Sequence, residues 1–158
     1  MKITAFELGR LRVPLKTPFK TALRTVDAAE SVVVRLHTDT GRTGLGEAAA
    51  TAVITGETHG SIIAAISQHI APRLIGQPVA DLNRLCGQVQ NAMARNSRAK
   101  AAVDIALHDL WAQLHGARCT SCWAAAYPNS PPTSPSAWMR WTPWWPMRVR
   151  RWRRATPR

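Results

Sequence analysis

SVVVRLHTDTGRTGLGE (residues 31–47) decides the fold class of this chain. Residues 31–39 are rich in β-branched side chains, with apolar and polar positions alternating along the second half. That is the pattern of a half-buried strand. Thr40-Gly41 supplies a turn, and residues 43–47 return as a short second member of a hairpin. Gly44 and Gly46 in that return strand predict a bulge or a close backbone approach. Upstream, residues 2–15 read as another strand with Pro14 near its end, and residues 16–30 as a long polar loop. Long loops in compact domains are often functional. Residues 48–58 form a second irregular segment.

Downstream the periodicity changes to helical. Ile62, Ile63, Ile66, Ile70 and Leu74 line one face of a helix over residues 61–74, stopped by Gly76-Gln77-Pro78. Leu82, Leu85, Val89 and Met93 mark a second helix. In the third, Ser97 serves as cap and Gly116 sits just past the end. Its face is Ala99, Ala102, Val103, Ala106, Leu107, Leu110 and Leu114. So many alanines imply that another element approaches closely. Three strands followed by a helical bundle predict an α+β domain over residues 1–117.

The remainder, 118–158, has a different composition. Residues 1–117 hold 13 Lys or Arg and all 9 acids, a balance of +4, whereas 118–158 hold 8 Arg, no acid and six of the seven Trp. The net charge of +12 is therefore not a property of the folded domain. No run of 18 apolar residues implies a membrane helix, and the first residues lack the apolar stretch of a signal peptide. A cytoplasmic location is the resulting expectation. The three cysteines do not form a disulfide framework.

Three segments together resemble the N-terminal capping domain of the enolase superfamily, most closely that of dipeptide epimerases. Thr17-Pro18-Phe19-Lys20-Thr21-Ala22-Leu23-Arg24 resembles their first active-site loop. Gly44-Leu45-Gly46-Glu47-Ala48, continuing to Val53-Ile54-Thr55-Gly56, resembles the second. Ala99 to Leu110 resembles the helix that leads into the catalytic barrel. The resemblance implies a lid that closes over a small-molecule dipeptide at the mouth of that barrel. In the family, barrel lysines move the proton alpha to a carboxylate and Mg²⁺ stabilises the enediolate. It also implies substrate-binding roles for Phe19, Lys20, Thr21, Arg24, Ile54 and Thr55. Arg24, with Lys16 and Lys20, would suit the carboxylates of an acidic dipeptide, and an Arg can bind one bidentately. Phe19 and Ile54 would wall the pocket.

No catalytic residue, metal ligand or bound cofactor is assigned to these 158 residues. A barrel alone needs roughly 250 residues. The expectation is a fragment without the barrel and without activity. Glu47, Asp104 and Asp109 read as structural carboxylates, and the five histidines show no metal-ligand spacing. The oligomeric state is left open. Two alternatives stand beside this reading. One is the lid of another superfamily member, a muconate cycloisomerase or an acyl-succinyl synthase/racemase. The other is a module whose Arg/Trp tail binds nucleic acid or membrane, although no specific partner of either kind is expected.

The tail has a simpler explanation. After Gly116-Ala117 the family continues Pro-Leu-Tyr-(Gln or Glu)-Leu-Leu-Gly-Gly, where this chain reads Arg118-Cys119-Thr120-Ser121-Cys122-Trp123-Ala124-Ala125. Regrouping the permitted codons one base earlier, from the last base of the Arg118 codon, yields Leu-Tyr-(Glu or Gln)-Leu-Leu-Gly-Gly. In the same frame Thr133 to Trp138 become Asp-Ile-Thr-Ile-Ser-Val, which alternates like a first barrel strand. Residues 118–158 are thus read as an out-of-frame, disordered tail. Cys119-x-x-Cys122 then counts as neither a redox pair nor a zinc half-site, having no second pair.

Overall fold

The computed structural model describes residues 1–22, 24–120 and 149–152. An antiparallel sheet, in the order β3-β2-β1-β4, forms one layer and helices form the other. The strands are β1 (Ile3–Lys20), β2 (Thr25–Thr38), β3 (Thr43–Ala49) and β4 (Val149–Trp152). The alternation in the central strand does what it predicts: Val32, Val34 and Leu36 are fully buried under the helices, whereas Arg35 and His37 meet Glu7 on the other face. A register shift between Ile3 and Ala5 allows both Ile3 and Phe6 to face the core. Asp39 closes the sheet's start by accepting the Lys2 N–H at 2.8 Å, which holds its carboxyl below the ordinary value.

The expected loop over residues 16–30 is instead a β arm. β1 continues to Lys20 and β2 begins at Thr25, with Pro14 opposite Ala28 and Phe19 opposite Val26. The register slips between those two pairs, where Pro18 has no N–H to give to the ladder. Beyond Gly9 nearly every arm residue is exposed on both faces, so no apolar alternation marks the arm as strand.

A fourth strand joins the three expected. Val149 to Trp152 pair with β1, Trp152 opposite Phe6 and Val149 opposite Gly9. These four described residues lie within the 118–158 tail. The free edge of β1 offers unpaired backbone groups over Phe6–Gly9, and a short segment bracketed by Val and Trp satisfies them. Cys122, Trp138, Trp141, Trp144 and Trp145 lie outside the described residues.

The helices are α1 (Ala52–Thr55), α2 (His59–Ala64), a π-helical stretch (Ala65–Ile70), α3 (Ala71–Leu74), α4 (Leu82–Gln90) and α5 (Ser97–Leu114). Residues 59–74 run on as one rod, capped at Thr58 by a reciprocal pair of hydrogen bonds with Ser61. Its widened middle has a local cause. Pro72 has no N–H for Gln68, and the Ala71 N–H bonds back to Ile66 instead. The widening also serves packing. Ile62, Ile66, Ile70 and Leu74 recur every four residues, a spacing that drifts about 40° per step on an α-helix. The π turn winds them back onto one face, and all four are buried.

α4 stops at Gln90, short of Met93. Asn96, not Ser97, holds the N-cap position of α5; it takes a left-handed conformation, and its side chain makes no capping bond but donates to the Ala94 carbonyl. From Ala99 to Leu110 the expected face of α5 is buried, while Leu114 reaches its exposed end. The alanines pack on the two glycines of β3. A Cβ at Gly44 would meet the Leu110 Cγ at 2.6 Å as well as the Ala106 carbonyl.

Candidate functional site

The arm tip and the segment after β3 emerge from the same end of the sheet. Ser31 at the base of the arm pairs with Ala49, and the Ala50 N–H donates to the Glu30 carbonyl. The tip itself is a closed turn. The Thr21 N–H donates to the Arg24 carbonyl at 2.8 Å, and the Thr21 hydroxyl bonds both Arg24 backbone groups. Thr21 thus spends its side chain on shaping the turn that presents Arg24. The Arg24 guanidinium makes no hydrogen bond or ion pair with another described residue. Arg12 lies against Asp27 and Glu30 at 3.7 and 3.1 Å, both in solvent and worth little to stability. These pairs engage the two acids of the arm, and Arg10, Lys16, Lys20 and Arg24 are its other cations.

The second segment is one helical turn, α1, closed by Gly56 at φ +77°. It presents Val53 and Ile54, each 65% exposed, and Phe19 on the arm is 61% exposed. Exposed apolar side chains of this size are suited to meeting a covering surface or a ligand. Thr55 is used locally, its hydroxyl bonding the Thr51 carbonyl and accepting from Arg98. Among the described residues no hydrogen bond or ion pair joins the arm tip to α1.

Arg98, which belongs to no motif in the sequence, organises this segment. From the first turn of α5 it donates to the Ala49 carbonyl at 3.2 Å and to Thr55 at 3.3 Å, and it pairs with Glu57 at 3.6 Å. Glu57 also accepts the Arg98 backbone N–H, one of the unsatisfied donors of the α5 N-terminus. Only the SR pair at the start of a helix could have hinted at it, because its partners lie more than forty positions upstream. At the other end of the strand Asp109 accepts the Leu45 N–H at 2.9 Å and covers the free edge of β3. Glu47 is exposed.

The histidines show no metal-ligand spacing along the sequence, but the fold brings one of them beside two other side chains of ligand type. Cys86 of α4 and Asp104 and His108 of α5 place one ligand atom each within 4.8 Å of one another. It is the one such group among the described residues, and its thiol and imidazole are not the all-oxygen set that Mg²⁺ takes. No described helix is long and apolar enough to cross a membrane.

A family model for the mandelate racemase / muconate lactonizing enzyme N-terminal domain matches residues 4–120. The L-Ala-D/L-Glu epimerase of Bacillus subtilis is 48% identical over 116 residues, 73% of this chain and 32% of that protein. Its substrate-liganded structure superimposes with a TM-score of 0.70. The L-Lys-D/L-Arg epimerase of Desulforapulum autotrophicum is 37% identical, over 73% of this chain and 33% of its own. The dipeptide epimerase of Cytophaga hutchinsonii, solved with Mg and D-Ala-L-Val, is 36% identical at a TM-score of 0.67, covering 73% of this chain and 31% of that one. The chain spans about a third of the length of the curated relatives it matches.

Proposed function

The chain belongs to the mandelate racemase / muconate lactonizing enzyme family, as a carrier of its N-terminal domain, and on that premise we propose that residues 1–117 are the substrate-capping lid of a dipeptide epimerase. The substrate is a dipeptide with an acidic residue, of the L-Ala-D/L-Glu kind. The reaction removes the proton alpha to the dipeptide's carboxylate and returns it on the opposite face. The observation that carries this reading is the basic arm: its acids are engaged by Arg12, and Arg24 is held at the tip by Thr21 with its guanidinium uncommitted. The 48% identity to an enzyme named for L-Ala-D/L-Glu supports the same substrate class.

In this reading Arg24 binds the substrate's side-chain carboxylate bidentately, assisted by Lys20. Phe19 and Ile54 cover the dipeptide and exclude water, which strengthens that ion pair. Thr21 and Thr55 fix the two backbone turns. The intact enzyme would use Mg²⁺, as solved relatives carry it. The described residues do not fit that ion, and no step of the lid's work runs through it. The 158 residues alone are proposed to be inactive, and residues 118–158 to be read out of frame.

A chimera joining residues 1–117 to the remainder of the Bacillus subtilis relative tests the lid. It is expected to epimerise L-Ala-D/L-Glu, and Arg24→Ala is expected to raise KM roughly tenfold with a smaller change in kcat. A chimera that prefers a lactone or an N-succinyl amino acid would move the lid to another branch of the family. Turnover by the 158-residue chain alone would reject its inactivity. Resequencing the DNA from the Leu114 codon onward decides the reading frame: an added or missing base near Ala117 is expected, and an unbroken frame would overturn that part.

A further inference from the structure

We propose that Cys86, Asp104 and His108 form a zinc site that clamps α4 to α5, separate from the substrate-facing loops. The three side chains come from two helices and converge within 4.8 Å. Asp104 and His108 are one turn apart on α5, the spacing that brings two side chains to one face. Cys86 faces them from α4. In a tetrahedral zinc site, bond lengths of about 2.0–2.3 Å put neighbouring ligand atoms roughly 3.3–3.6 Å apart. The separations now present exceed that spacing, so binding requires the three side chains to draw together.

Two details favour a ligand over packing alone. The Asp104 Oδ1 is buried with no hydrogen-bond partner among the described residues, a costly state for a carboxylate oxygen. His108 donates through Nδ1 to the Asp104 carbonyl at 2.9 Å, the kind of outer bond that orients a metal-binding imidazole. Thiolate, imidazole and carboxylate together suit zinc and not magnesium or calcium. All three residues are partly exposed, so an ion has access and water can complete the shell. On binding, the S–H bond breaks, the sulfur's electron pair goes to zinc and the proton goes to solvent. The thiol is otherwise protonated, since burial and the Asp104 carboxylate push it up to about 12.

The test uses the full 158-residue chain with Cys119→Ser and Cys122→Ser, so that Cys86 is its one thiol. Cobalt(II) is the probe and zinc the competitor. The expected result is one cobalt per chain, a thiolate-to-cobalt charge-transfer band, loss of the band on adding zinc, and one proton released. Asp104→Asn and His108→Gln should each weaken binding roughly tenfold or more. Cys86→Ser should abolish the band, with the metal-free far-UV dichroism of each variant unchanged. Zinc should also raise the melting temperature of the parent and leave that of Cys86→Ser alone. Absence of the band at saturating cobalt, or its survival in Cys86→Ser, would show a hydrogen-bonded cluster only and overturn the site.

Discussion

The backbone of Gly46 lies directly on the Ala102 carbonyl, leaving no space between β3 and α5 for even one methyl group. Any side chain there must push the helix off the sheet and open the packing of Val103 and Leu107. Gly46→Ala is expected to destabilise the domain by at least the ~1–3 kcal/mol of ordinary overpacking. Gly87 is the control, because nothing lies within 4 Å of its would-be Cβ in the middle of α4. Gly87→Ala should stabilise by about 0.5–1 kcal/mol. Chemical denaturation of both variants reads the contrast; equal effects would refute the close approach.

Lys100 is a buried cation with a defined task. Its ammonium donates to the carbonyls of Gln90 and Met93, at 2.8 and 2.6 Å, where α4 ends. Those acceptors have no continuing helix to satisfy them. Lys100→Met keeps the stem's apolar packing and removes the donors. The loss is expected to be about 1–3 kcal/mol in the denaturation free energy, the cost of stranding buried polar groups. A neutral result would mean that water replaces the ammonium.

These two residues mark the boundary of what the sequence could disclose. The alternation of Val32, Val34 and Leu36 reports one buried face, and the alanines of α5 report its close neighbour, so the sheet and its main helix were legible. The β arm was not, because residues beyond Gly9 are wet on both faces and carry no period. The π turn depends on a single missing N–H at Pro72, which a count of apolar positions ignores. For the candidate site, exposed Phe19 and Ile54 and the arm cations stood out by type and place. Arg98 and the Cys86 grouping did not, since each acts through partners distant in sequence.

Arg98 predicts a local effect distinct from a global one. It ties Ala49, Thr55 and Glu57 to the start of α5, yet it buries little apolar surface. Arg98→Ala should therefore speed amide hydrogen exchange in residues 49–57 by roughly tenfold or more while leaving the slow core of α5 nearly unchanged. Arg98→Lys should rescue only part of this, as an ammonium cannot reproduce the planar fork. Uniformly faster exchange across the domain would instead assign Arg98 to global stability.

Cys86 gives the chain a pH dependence at the alkaline end. In the metal-free protein its thiol is raised from 9.0 to about 12, first by burial and then by its bond to Asp104. The folded state therefore holds its proton at pH values where the unfolded chain has lost it. Fewer protons bound when unfolded means that stability falls as pH rises. The contribution is complete below about pH 9 and is lost progressively toward pH 12. With a chelator present, the stability of wild type should decline more steeply over this window than that of Cys86→Ser, whose hydroxyl does not titrate there. Measuring denaturation midpoints of the two proteins across the window isolates the thiol from the lysines and Tyr127, which both proteins share. Parallel curves would show that Cys86 ionises as it does in the unfolded chain.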